Sequence, residues 1–447
     1  MAQNVWERSA NRDNGCNVAL CNSTGNVDNN NAYNGNRCAP IASPAGPARP
    51  RTGTCPAACD TRSPSPEGGG SYPGPEQGRE GRGAAPRGDA PSGPPKPCRM
   101  EDAFGFDALS ASLARCMRGS GWKRRSAWCW EHRAELCARL EEELMSGSYR
   151  PGRTVSFEVA KPKRRTIVAT DVVDRVVQRS LNDNVVYPAM SRPWVYDNCA
   201  CQHGKGTDFA RMRLHVWMER AWRAAGPGAA ALRCDVAGYY ANMAHSVAEA
   251  RLRRRLPAWA ADFAVMVLRS QYGDGERGYS PGSQLVQICG VDYLDPLDHL
   301  VKERLRPLGY VRYMDDFVLL CRSPAEAAEM REAVASRLGE LGLSLHPHKT
   351  AVQGIAAPLR FLGFDHLVSP RTGKAWMRVA PESVKQARRD TAALGRLVRA
   401  GRLSEAQYRE SCRCRRAHMA KGASPALLDR YDRYCDDVLR GALDDRH

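Results

Sequence analysis

"GYVRYMDDFVLLC", residues 309–321, consists of two short apolar runs separated by Met314-Asp315-Asp316. Aromatic and β-branched residues dominate both runs, so each reads as a strand, with the acidic pair at the turn of a hairpin. Paired aspartates at a turn are ordinarily solvated turn formers. Between two apolar strands they would instead be held in place, and carboxylates held in place can do chemistry.

Reading outward, "ALRCDVAGYY" (231–240) is a second strand pattern, in which Leu232, Cys234 and Val236 alternate with Arg233 and Asp235. After the hairpin, "SPAEAAEMREAVASRLGELGLSL" begins with Ser323 as a helix cap and Pro324 in the first turn, and Glu326 is placed to complete a capping box. Met330, Val334, Leu338 and Leu341 supply its apolar face, and Gly342 can end it. Strand, acidic hairpin, helix and strand in this order predict an α+β fold, with an antiparallel sheet carrying helices on one face. If that sheet sets Asp235 beside Asp315, the carboxylates could hold two hard cations about 3.5–4 Å apart, as two-metal phosphoryl transfer requires. Clustered carboxylates repel one another, so Mg²⁺ would relieve a real cost.

The charge balance fits such a role. With 66 Lys and Arg against 49 Asp and Glu, the net charge of +17 points to a polyanionic partner, most often nucleic acid, although a GC-rich genome also inflates arginine. The seventeen cysteines include no CxxC pair, and their irregular spacing reads as reduced thiols acting as small hydrophobes. No apolar run approaches the roughly 18 residues that suggest a membrane span, and no secretory leader pattern opens the chain. A cytoplasmic protein without a membrane partner is expected.

The N-terminus differs from the rest. Eleven of fifteen asparagines fall in residues 1–36, including "NVDNNNAYNGNRC" (26–38). Residues 40–98 hold 14 prolines and 11 glycines, with Ile41 as their only large aliphatic residue. Such a segment buries too little apolar surface to offset the entropy of ordering it, so residues 1–99 are expected to be disordered or not translated at all. From Met100 the composition becomes that of a globular protein. The stretch from Pro381 to Arg440 reads as helical, with Ser404 and Gln407 forming a second capping box, and residues 371–447 carry 18 Lys and Arg against 10 Asp and Glu.

Over residues 100 to about 430 the chain resembles bacterial reverse transcriptases of the group II intron-like superfamily. "YVRYMDDFVLLC" is similar to their YxDD hairpin, and "RCDVAGYYANM" to the block with the first catalytic aspartate. "SYRPGRTVSFEVAKPKRRTI", "YDNCACQHGKGTDFA", "LSLHPHKT" and "LRFLGF" resemble further blocks in the same order. The resemblance implies a right-handed polymerase: fingers and part of the palm in 100–230, a palm with an RRM-like antiparallel sheet in 231–370, and a helical thumb in 371–447. It further implies that Asp235, Asp315 and Asp316 hold two Mg²⁺ ions, which Mn²⁺ can replace. Lys163 and Arg165 would grip the incoming triphosphate, unless theirs is simply a solvated basic loop. Tyr240 would exclude a ribose 2′-hydroxyl, with a plain core aromatic as the alternative. Lys349 would protonate the leaving pyrophosphate, with a plain surface lysine as the alternative. Tyr313 and Met314, and Phe361-Leu362-Gly363 as a primer grip, would touch template and primer. Template RNA, cDNA primer and dNTPs are the implied partners.

"GYSPGSQLVQICGVDYLDPLDHL" most resembles a block of diversity-generating retroelement reverse transcriptases, an IGxxxSQ pattern followed by YLNPLDH-like residues. Gly282 and Gln287 match it and would contact template and nucleotide, whereas Pro281 stands for the aliphatic residue and Val286 for the serine. Such enzymes copy a template repeat with errors at adenines, and their repeats are rich in asparagine codons. The Asn-rich opening therefore looks like a translated template repeat, with translation of the enzyme starting near Met100. The alternative is a genuine Asn-rich tail. The resemblance also implies a small basic accessory protein. Retron, group II intron-like and defence-associated reverse transcriptases remain alternatives, as does a catalytically silent RNA-binding scaffold that keeps the fold.

Overall fold

The hairpin expected at 309–321 forms two neighbouring strands at one edge of a four-stranded antiparallel sheet. The computed structural model describes residues 99–159, 165–272, 275–280 and 282–444. Lys163, Pro281 and the N-terminal segment through residue 98 lie outside the described residues.

Four helices open the described chain: α1 (Met100–Phe104), α2 (Phe106–Met117), α3 (Arg124–Glu131) and α4 (Arg133–Met145). A two-stranded hairpin follows, β1 (Val155–Val159) with β2 (Arg165–Ala169), so Arg165 is the first residue of a strand. Then come α5 (Val172–Leu181), α6 (Tyr187–Ser191) and the long α7 (Thr207–Ala225). Strand β3 (Ala230–Asp235) leads into α8 (Tyr239–Asn242), α9 (His245–Arg255), α10 (Ala258–Arg269), α11 (Gln284–Tyr293) and α12 (Asp295–His299). The acidic hairpin is β4 (Gly309–Tyr313) and β5 (Asp316–Cys321), followed by α13 (Pro324–Glu340) and β6 (Ala351–Gly354).

The sheet order is β4-β5-β3-β6, and every pairing is antiparallel. Helix α7 packs on β4 and β5, and α13 packs on β3, β5 and β6. β4 is buried along its whole length, and so is β5 beyond Asp316; this is why both read as nearly unbroken apolar runs. Ser323 caps α13 as expected, its hydroxyl accepting from the Glu326 N–H at 3.1 Å. The reciprocal half of the capping box does not form. The Glu326 carboxylate accepts instead from the N–H of Arg322 at 2.5 Å, and the Arg322 guanidinium draws it there with a 3.0 Å contact.

A second sheet, β7 (Leu359–Phe361), β8 (Phe364–Val368) and β9 (Ala375–Val379), follows in meander order. The helical C-terminal region is three helices: α14 (Pro381–Arg399), α15 (Glu405–Ala420) and α16 (Pro425–Asp444). Ser404 and Gln407 form the expected capping box of α15. These helices have a core of their own around Val398, Tyr408, Met419 and Leu439, which also takes in Phe364 of β8 and Val379 of β9. The sheet thus crosses the division expected near residue 370 and joins both cores. None of the described cysteines is in a disulfide, and most are buried. No described helix is long and apolar enough to cross a membrane.

Candidate active site

Strand register brings the carboxylates together. In the β3–β5 ladder Asp235 lies opposite Asp316, and Tyr313 opposite Asp316 closes the β4–β5 hairpin with only Met314 and Asp315 between them. Asp316 is therefore the first residue of a strand rather than part of the turn. Met314 has a φ of 57°, at the position where two-residue hairpins favour glycine, so the turn carries backbone strain of roughly 1 kcal/mol or more. Its side chain is buried, which helps offset that strain.

The turn is held from below by a residue whose part the sequence reading did not see. Arg312 is fully buried, and its Nη1 donates to the Met314 carbonyl at 3.0 Å. Its Nε and Nη2 grip both oxygens of Asp298 at 2.7 and 2.5 Å, and Nη2 also reaches the Val291 carbonyl at 3.0 Å. Burial works against the guanidinium charge, but the Asp298 carboxylate outweighs it and holds the Arg312 pKa above its ordinary value. The Tyr310 hydroxyl donates to the same carboxylate at 2.6 Å. The signal was present as one arginine in an otherwise apolar strand and one acidic residue in "YLDPLDH". Their pairing was not readable. The backbone of Arg312 is tied in turn to Asp197 and Cys199 of the "YDNCAC" segment, which runs parallel to β4. Lys205 of "HGKG" fixes that segment by donating to the Tyr196 and Asn198 carbonyls.

The carboxylates crowd one another. Burial first, then the charges of Asp315 and Asp235, push the Asp316 carboxyl up to about 8. Lys349 neutralises one member of the group, its Nζ lying 2.8 and 2.7 Å from the two oxygens of Asp235. Two contacts place it there. His346 donates its N–H to the Asp235 carbonyl at 2.7 Å, and the Arg233 side chain donates to the Lys349 carbonyl. Lys349 is thus engaged on a carboxylate of the site. Among the described residues no three His, Cys, Asp or Glu side chains converge as a ready metal cage. Repulsion between like charges keeps such a set from closing on its own. The chemistry of the donors still fits Mg²⁺: hard carboxylate oxygens, one of them driven toward protonation by burial and by the negative charge of its neighbours.

Around this group the expected nucleotide-side residues are distributed as follows. Tyr239 is buried and donates its hydroxyl to the Gly290 carbonyl, while Tyr240 is half-buried against the same turn of α11. A Cβ on Gly290 would come within 3.0 Å of the Tyr240 hydroxyl, so the glycine makes room for the ring. Gln287 is one turn earlier on α11, and the Cys201 thiol spans to its Oε1 and to the Met314 sulfur, each at 4.0 Å. Gly282 abuts the first hairpin: a Cβ there would lie 2.3 Å from the Val168 carbonyl of β2, so only glycine fits. Tyr313 is buried in β4.

Leu362 and Gly363, directly after Phe361, form a second two-residue turn, with φ of 45° at Leu362 and 84° at Gly363. Each of its carbonyls has a donor. His366 Nε2 donates to the Phe361 carbonyl at 3.2 Å, Arg211 Nη2 to that of Leu362 at 2.9 Å, and the Ser383 hydroxyl to that of Gly363 at 3.2 Å. Since His366 donates from Nε2, its Nδ1 accepts from His215 Nε2 at 2.9 Å. Burial pushes His366 down to about 3, which keeps this pair neutral. The sequence marked the turn but none of its donors: Arg211 and Ser383 come from other elements, and His366, on the paired strand, carries no local pattern that shows its role.

Residues 161–366 match the family model described as reverse transcriptase (RNA-dependent DNA polymerase), a span that contains every candidate residue above. No curated protein matches the chain. The domain is that of an RNA-directed DNA polymerase, which acts on template RNA and deoxynucleoside triphosphates.

Proposed function

We propose that this polymerase domain is built as fingers, palm and thumb, with the β4-β5-β3-β6 sheet as palm and α14–α16 as thumb, and that it copies a template-repeat RNA into cDNA for a diversity-generating retroelement. The observation that carries the catalytic reading is the register of Asp235 opposite Asp316, with Asp315 one residue before it at the turn. Asp235, Asp315 and Asp316 would hold the divalent ions, which when bound lower the pKa of the attacking primer 3′-hydroxyl and neutralise charge on the leaving pyrophosphate. Lys349, freed from Asp235 by that charge replacement, is the proton donor nearest the carboxylates. Tyr240 backs the sugar of the incoming nucleotide, its phenol kept neutral by burial. Lys163 and Arg165 follow from the family motif as the triphosphate grip. Phe361-Leu362-Gly363 positions the primer, and basic α14–α16 track the heteroduplex backbone.

The retroelement reading rests on the "SPGSQLVQ" block with Gly282 and Gln287, and on the asparagine codons of residues 1–36. On this reading residues 1–99 are largely noncoding template and spacer, translation of the enzyme starts at or near Met100, and a small basic accessory protein assists on the RNA. Primer extension on an RNA carrying the codons for residues 1–99, with Mg²⁺ and dNTPs and with and without the accessory protein, tests it. cDNA errors concentrated opposite adenines support it. Evenly faithful cDNA under both conditions replaces it with a retron or intron-like enzyme, and no Mg²⁺-dependent incorporation at all leaves the RNA-binding scaffold. A peptide spanning residues 17–37 in the native protein sinks the claim that this segment is not translated.

A further inference from the structure

Outside the span matched by the family model, residues 118–133 (RGSGWKRRSAWCWEHR) carry three tryptophans that the fold does not bury. Trp122, Trp128 and Trp130 are 54, 39 and 43% exposed, although Ser126 and Cys129 of the same segment are fully buried. Single exposed apolar side chains need no explanation, but three indoles within nine residues do. Each also lies against a cation. Lys123 Nζ is 5.4 Å from the Trp122 ring centre, and the guanidinium carbons of Arg125 and Arg133 are 4.9 and 5.3 Å from those of Trp128 and Trp130. His132 stacks on Trp128 with ring centres 4.6 Å apart. Within the segment itself, Arg118, Lys123, Arg124, Arg125 and Arg133 stand against one acidic residue, Glu131.

The segment is not adrift from the catalytic domain. Arg125 contacts Asp171 at 3.5 Å, and Asp171 caps α5 directly after the β1–β2 hairpin. The indole of Trp122 is fixed at its edge by donating to the Gly119 carbonyl at 3.2 Å.

We propose that residues 118–133 form a stacking platform for single-stranded RNA, holding template beside the β1–β2 hairpin. A base stacked on one of these indoles brings its phosphate within reach of the cation already at that ring, so aromatic and charge recognition coincide at each step. Stacking accepts any base, as a platform for an unpaired template must. That the bound strand is the template rests on the polymerase reading. The binding of single-stranded RNA does not.

The test is binding of a labelled single-stranded RNA and of a blunt heteroduplex to the full chain in EDTA, for wild type, Trp122→Ala, Trp128→Ala, Trp130→Ala, Trp128→Phe and Arg125→Gln. Each Trp→Ala change is expected to weaken single-strand binding by roughly 5- to 150-fold, with blunt-duplex binding unchanged and Trp128→Phe restoring most of the loss. Arg125→Gln is expected to lower the salt dependence of binding by about one phosphate contact. Folded Trp→Ala variants that bind single-stranded RNA like wild type overturn the proposal, including the case in which the indoles prove to dock a protein. Equal losses on single strand and duplex overturn it too. Asp315→Ala keeps the questions apart, since it should abolish extension while leaving this binding intact. A wild-type chain that never incorporates nucleotide would remove the polymerase reading without touching the platform.

Discussion

The protein uses one backbone device twice. In the 309–321 hairpin and in the 359–368 hairpin, two strands are joined by a two-residue turn whose first residue, Met314 or Leu362, is a buried non-glycine at positive φ. The two turns differ in what surrounds them. At Phe361-Leu362-Gly363 every carbonyl is met by a donor, so the turn is complete within the fold. At Met314-Asp315 the backbone is held by Arg312, but the carboxylates beside it crowd one another, with Lys349 in direct contact with Asp235. A satisfied turn can position a bound strand passively. A turn crowded with carboxylates is suited to take up positive charge from outside.

The largest expected effect breaks the comparison at the acidic turn. Asp315→Asn should lower Mg²⁺-dependent primer extension roughly a thousandfold or more while leaving the melting temperature nearly unchanged, because the side chain serves a ligand rather than the fold. An Asn variant with near-normal activity would show that Asp315 is an ordinary turn residue.

Next in size is the support beneath that turn. Arg312→Met should cost about 3–5 kcal/mol in urea unfolding, since Asp298 is then left buried without its partner. Adding Asp298→Leu should recover much of that loss but not activity, because the Met314 carbonyl still lacks its donor.

The pH dependence sharpens the contrast. Asp316 is raised to about 8 in the fold against about 3.9 in an unfolded chain, so the stability it contributes is complete below about pH 4 and is lost as pH rises through 8. In EDTA the wild-type melting temperature should therefore fall between pH 6 and 8.5, and Asp316→Asn should flatten that fall. Mg²⁺ should do the same for the wild type. His366, held near 3 and neutral in the fold, has the opposite sign: its contribution is lost as pH falls through about 6.5 toward 3 and should add no pH dependence above about pH 7.5 at the other turn.

The smaller effects belong to the self-satisfied turn. Arg211→Met should destabilise by about 1–3 kcal/mol, through the orphaned Leu362 carbonyl and the lost packing of the guanidinium on Phe364, 4.5 Å from its ring centre. In extension assays it should raise KM for primer–template more than it lowers kcat. Leu362→Gly should cost only about 1–2 kcal/mol, because relief of the positive φ offsets part of the lost burial.

Much of this architecture was legible in the chain. Apolar runs marked β4 and β5, alternation marked β3, and Ser323 and Ser404 marked the starts of α13 and α15, because strand period and helix caps are local properties. The acidic hairpin and the order of the surrounding blocks identified the chemistry, since catalytic carboxylates must sit where strands can hold them. Long-range pairing was not legible. The sequence does not say that Lys349 lies on Asp235, 114 positions away, or that Arg211 reaches Leu362 across 151. Nor does it say that Glu326 turns to Arg322 rather than Ser323, or that tryptophans 122, 128 and 130 stay outside the core. By itself the sequence determined the elements and the kind of chemistry, through short-range periodicity and residue type. Only the tertiary structure decided which charges meet and which crowd, because that depends on distances between segments that no local pattern encodes.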